Sequence, residues 1–100
     1  MAVKLLMTWN IRAGREQEYF EFVVRELIPQ IKRLGLEPTD AWYTVYGKRP
    51  QIMTSAKSES LKSLQEVLDS SGWESLINKL LDFVENFEQK IVTDRPGFQL

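Results

Sequence analysis

Val3, Leu5, Met7, Trp9 and Ile11 are apolar and alternate with Lys4, Thr8, Asn10 and Arg12. A period of two sustained over this length commits the segment to a strand with one buried face. Leu6 falls on the second face, which is therefore mixed rather than fully solvated. Ala13-Gly14 ends the strand, and the period then changes. Arg15-Glu16-Gln17-Glu18 opens a helix with acids at its positive end. Phe20, Val23, Val24, Leu27, Ile31 and Leu34 follow at spacings of three and four. Tyr19, Phe22 and Ile28 widen that stripe, which predicts burial against more than one neighbour. Pro29 removes a helical hydrogen bond and clashes with the carbonyl four residues earlier, so a kink or short break is expected there. Gly35 suits the left-handed position past the helix end, and Glu37-Pro38-Thr39-Asp40 reads as a turn.

Ala41-Trp42-Tyr43-Thr44-Val45-Tyr46 is aromatic and β-branched, the composition of a strand. Gly47-Lys48-Arg49-Pro50 separates it from Gln51-Ile52-Met53-Thr54-Ser55-Ala56, and the two strands form a hairpin. Ser58 suits the cap of a second helix through Leu61, Leu64, Val67 and Leu68. Ser70-Ser71-Gly72 interrupts this helix, and Ser71 with Glu74 fits a capping box for its continuation. Trp73, Leu76, Ile77, Leu80, Leu81 and Val84 carry the stripe onward, and Phe87 to Thr93 is the final strand. The order β-α-β-β-α-β, with the second helix broken, predicts a ferredoxin-like α+β sandwich over residues 1–100. Both helical segments cover one face of a four-stranded antiparallel sheet, with the first and third strands at its centre.

Composition narrows the chemistry. The 100 residues contain no Cys and no His, which excludes disulfides, thiolate metal sites, Ser-His-Asp triads and imidazole bases. A formal net charge of -1 gives no basic patch for nucleic acid. The glycines at 14, 35, 47, 72 and 97 are scattered, so there is no phosphate loop. No apolar run reaches membrane-span length and no signal segment opens the chain, so neither a membrane nor a nucleic acid is an expected partner and a cytoplasmic protein is expected.

A sheet covered on one side by helices usually shows polar residues on the other. Here large aromatics in the second strand point both ways, and Leu6, Thr8 and Asn10 share a face opposite Met7 and Trp9. Either assignment leaves apolar area uncovered, which predicts a homodimer with the sheets packed face to face. Thr8, Asn10, Trp42, Thr44 and Tyr46 are the candidate ligand-binding residues of the interior between the sheets. The competing reading is that Trp42 and Tyr46 only fill an interface. Trp9 and Trp73 read as core, and Arg12, Arg15, Lys48 and Arg49 as solvated loop charge. Glu88 and Lys90 alternate on one face of the last strand, where a buried Glu88 would act as a base.

Three segments carry a family resemblance. Ile11-Arg12-Ala13-Gly14-Arg15-Glu16-Gln17-Glu18-Tyr19-Phe20 is similar to a strand, turn and helix opening, although Ala13 stands where Pro is usual. Ser58-Glu59-Ser60-Leu61 with Ser70-Ser71-Gly72-Trp73 is similar to a helix broken at a serine. Arg95-Pro96-Gly97-Phe98-Gln99 is like the tail after the last strand. Together they resemble the dimeric α+β barrel superfamily, of the antibiotic-biosynthesis-monooxygenase and NIPSNAP type. The resemblance implies a homodimer and a range of activities: quinone-forming oxygenation, haem degradation, isomerisation, or none known. In the haem-degrading branch Asn10 matches the first-strand Asn. Val67 and Ile77 fall near the Trp and His positions, so the proximal ligand is missing and no cofactor is expected.

The reading is a small homodimeric α+β barrel acting on a small aromatic or polyketide-like compound by cofactor-independent oxygenation. In that reading Trp42 and Tyr46 hold the substrate, and Asn10 or Thr44 polarises a carbonyl. The alternatives are a small-molecule binding or sensing module with no chemistry, and a structural dimer with no pocket.

Overall fold

A computed structural model describes residues 2–43 and 52–93, with Trp42 and Tyr43 described by their backbone alone. The candidates Thr44 and Tyr46, the Gly47–Pro50 loop and the Arg95–Gln99 tail lie outside the described residues. The elements are β1 (Val3–Ile11), α1 (Glu16–Phe22), a π-helical turn (Val23–Leu27), α2 (Ile28–Arg33), β2 (Glu37–Tyr43), β3 (Ile52–Ser58), α3 (Leu61–Leu68), α4 (Ser71–Leu80) and β4 (Val84–Thr93). The sheet is four-stranded in the order β2-β3-β1-β4 with every pairing antiparallel, so the first and third strands are central as expected.

β1 buries alternate residues from Val3 to Ile11 beneath the helices. Met7 and Trp9 thus face the helical layer, which settles the face that the sequence left open. Leu6, Thr8 and Asn10 lie on the other side. The core continues through Tyr19, Phe22, Leu27 and Ile31, then Leu64, Trp73, Leu76 and Leu80. Phe20 and Val24, read from the sequence as part of the buried stripe, are exposed instead.

Pro29 does not break the first helix. The turn immediately before it is π-helical, with the Ile28 N–H bonded to the Val23 carbonyl five residues back, and this wider turn accommodates the proline without a break. The helix ends at Gly35, whose φ is +99°. Gly35 N–H donates to the Lys32 carbonyl and Leu36 N–H to the Ile31 carbonyl, the paired bonds of a Schellman end.

Four boundaries differ from expectation. Glu37–Asp40 is the first half of β2 rather than a turn, because a register shift at Pro38/Asp40 absorbs the proline beside β3. The caps are Ser60 and Ser70, whose hydroxyls accept from the Ser63 and Trp73 N–H groups, rather than Ser58 and Ser71. Ser58 ends β3 and donates to the Ser60 carbonyl. Val84, read as the end of a helical stripe, begins β4, since α4 stops at Leu80.

Candidate functional site

The site grows from one hydrogen bond in the core. Trp9 sits mid-sheet on β1 and is 1% exposed, while Tyr19 reaches it from α1 and is 3% exposed. The indole Nε1–H donates to the Tyr19 hydroxyl at 3.0 Å. The rings meet edge to face at 6.4 Å, and Phe87 stacks on Trp9 at 5.9 Å. Phe87 reaches this side because β4 bulges: Thr8 pairs with Glu88 and Asn10 with Glu85, leaving two residues opposite Trp9. Asn86 takes the bulge's left-handed backbone at φ 58°.

Having accepted from Trp9, the Tyr19 oxygen keeps its own proton with no acceptor among the described residues. Burial raises the pKa of this phenol, and the Trp9 bond offsets that only in part. It stays a neutral donor at physiological pH. Both rings line a cavity of about 240 Å³ between the first helix and the β2–β3 side of the sheet. Its walls include Val23, Leu27, Ile31 and Ile52. At its sheet edge the Thr39 and Ser55 hydroxyls are 2.7 Å apart, and Thr54 Oγ1 donates to the Asp40 carbonyl at 2.8 Å. These hydroxyls bond each other or backbone, so among the described side chains lining the cavity Tyr19 is the one with a donor to spare.

The residues chosen from sequence gather elsewhere. Thr8 is half-buried on the open face, paired with Met53 on one side and Glu88 on the other. Asn10 shares that face, and the backbone of Trp42 stands opposite Met53, two strands from Thr8. Leu6, Thr8, Met53, Glu88 and Lys90 line a depression of about 270 Å³ there. Glu88 is exposed in the single chain, so the burial needed for a carboxylate base is not met within it. A larger depression, about 680 Å³, opens to solvent at the Gly35 end. Its buried polar side chain, Ser58, already bonds the Ser60 carbonyl. Among the described residues no group of His, Cys, Asp or Glu converges as metal ligands, and no helix is long and apolar enough to cross a membrane.

Sequence reasoning placed Trp9 in the core and Tyr19 on the buried stripe of the first helix, and singled out neither as a site residue. The available signal was that two amphipathic rings sat on apolar stripes, and such rings need a polar partner when buried.

No family model and no curated relative matches the chain. Solved structures do. A NIPSNAP family protein from Agrobacterium tumefaciens superposes with a TM-score of 0.73 at 25% identity, covering 96% of this chain and 95% of that one. A NIPSNAP-like domain protein from Burkholderia xenovorans matches at 0.71 and 15% identity, covering 99% and 90%. An ethyl tert-butyl ether D family protein from Bacillus halodurans matches at 0.73 and 16% identity, covering 95% and 100%. The chain has a NIPSNAP-like, ferredoxin-like α+β fold, as the sequence resemblance implied.

Proposed function

We propose that this chain is a homodimeric α+β barrel protein that binds a small aromatic compound bearing an oxygen acceptor in the cavity between the first helix and the sheet. The observation that carries this reading is the Tyr19 hydroxyl: buried, neutral, and left with a proton to donate inside an apolar cavity. Its volume exceeds the roughly 150 Å³ that admits benzene and suits one or two fused rings. The walls take the rings by apolar contact and Tyr19 donates to a carbonyl or phenolic oxygen, which fixes orientation. Thr8, Asn10 and Trp42 belong in this reading to the open face, where a second copy completes the barrel. The enzymatic form of the reading is cofactor-independent oxygenation of a phenol. Phenol and dioxygen give a quinone and water, with the substrate supplying the electrons. Tyr19 would then hold the phenolic oxygen as negative charge develops on it.

Calorimetric titration with 1-indanone and with indane, its analogue lacking the carbonyl, tests the binding. Wild type should bind 1-indanone more tightly than indane. Tyr19→Phe should weaken the ketone by about fivefold, the worth of one hydrogen bond, and leave indane unchanged. Equal affinity for the two probes, or an equal loss of both, would remove Tyr19 as the orienting donor.

A further inference from the structure

The first helix carries an apolar row that its own fold leaves uncovered. Phe20, Val24 and Ile28 are 51%, 69% and 38% exposed. In an α-helix residues four apart drift around the axis, because a turn takes 3.6 residues. The π-helical turn Val23–Leu27 winds more slowly and counters that drift between Phe20 and Ile28. Such turns recur at functional positions. Here the apolar row meets solvent through Phe20 and Val24, while Ile28 at its end is less exposed and also borders the cavity against the sheet.

We propose that this ridge is a self-association surface, in which the first helix packs antiparallel against the same helix of a second copy, about a two-fold axis near Val24. The charges select that occupant. Glu16, Glu18 and Glu21 precede Val24, while Arg25, Lys32 and Arg33 follow it; Glu26 also follows but is paired with Lys79 at 3.1 Å. Glu18 pairs with Arg15, whereas Glu21 and Arg25 have no ion-pair partner among the described residues. They flank the ridge on the same side. A two-fold axis across the helices carries Glu21 to the neighbourhood of the second copy's Arg25, and Phe20 to its Ile28. Parallel packing would instead set acid against acid and base against base.

A single helix pair buries less than the roughly 1,200–2,000 Å² of a standard stable interface. The contact is therefore concentration-dependent. It is also separate from the sheet face, so it doubles the mass of whatever species the sheet face forms.

Sedimentation velocity from micromolar to millimolar protein tests this. Wild type should double in mass across the series. Val24→Glu should abolish the doubling while keeping the low-concentration species and the circular dichroism spectrum. Glu21→Arg and Arg25→Glu should each weaken doubling by about tenfold, since each sets like charges together, and the double variant should recover most of the loss. Met53→Glu, on the opposite face, should leave the doubling step in place even if it changes the starting species, which separates failure of this contact from failure of the sheet-face dimer. A wild type that never doubles would overturn the proposal, as would a doubling indifferent to Val24→Glu or charge variants whose double mutant is no better than the singles.

Discussion

At the scale of single residues, the Trp9–Tyr19 pair links the core to the cavity. Replacing Tyr19 by Phe removes the acceptor and strands the indole N–H among apolar atoms. An unpaired buried donor costs about 1–3 kcal/mol, so Tyr19→Phe should lower the unfolding free energy measured in urea by that much while the fold persists. The pH dependence has a definite sign. The Tyr19 pKa is raised above its ordinary value of 10.0 by burial, so above pH 10 the unfolded chain loses this proton before the folded chain does. The folded state then binds more protons, and stability falls as pH rises through that window. Below pH 10 the contribution is intact. Urea unfolding at pH 8 and pH 10.5 should show wild type losing more stability than Tyr19→Phe across the interval; equal losses would mean the phenol is not held neutral by the fold.

At the scale of elements, two adjacent serines give a sharp test, because only one serves as the cap. Ser70 accepts from the Trp73 N–H at 3.2 Å and donates to the Val67 carbonyl at 2.6 Å, joining the end of α3 to the start of α4. Ser70→Ala should cost about 0.5–2 kcal/mol, the range for lost N-caps, and Ser71→Ala should cost much less. The reverse order in thermal melts would restore the capping box that the sequence offered. This shift of one residue illustrates what was legible. The period of two identified β1 and the periods of three and four the helices, because burial imposes them directly, whereas β2 was read from its aromatic and β-branched composition. Boundaries depended on local competition. Pro38 looked like a turn, yet an edge strand with a register shift tolerates it. Val84 fitted the end of a helical stripe equally well as the start of a strand. The π-helical turn left no trace beyond Pro29. The candidate cavity was hidden for a related reason: Tyr19 belongs to the core by pattern, and its spare proton is a property of three-dimensional pairing that no spacing encodes.

At the scale of the whole molecule, the uncovered sheet face is the remaining imbalance. Its centre is Leu6, Thr8 and Met53, and Met53 is 41% exposed. Around it charges of both signs are interspersed: Lys4 lies 3.9 Å from Asp40 across β3, and Glu88 and Lys90 stand along β4. An apolar centre with a charged rim is the anatomy of a protein interface, and two such sheets stacked about 10 Å apart would exclude water from both centres. On this reading wild type sediments at twice its 11.7 kDa chain mass at tens of micromolar. Met53→Glu should convert it to a folded monomer. Within one chain the new carboxylate meets solvent at an already exposed position. Between two sheets it would be taken out of water in a depression that already holds Glu88 with Lys90, at a cost of several kcal/mol. Val24→Glu on the helical side should leave this dimer whole. A monomeric wild type, or a dimer that survives Met53→Glu, would place the subunit contact elsewhere and leave Thr8 and Asn10 facing water rather than a shared interior.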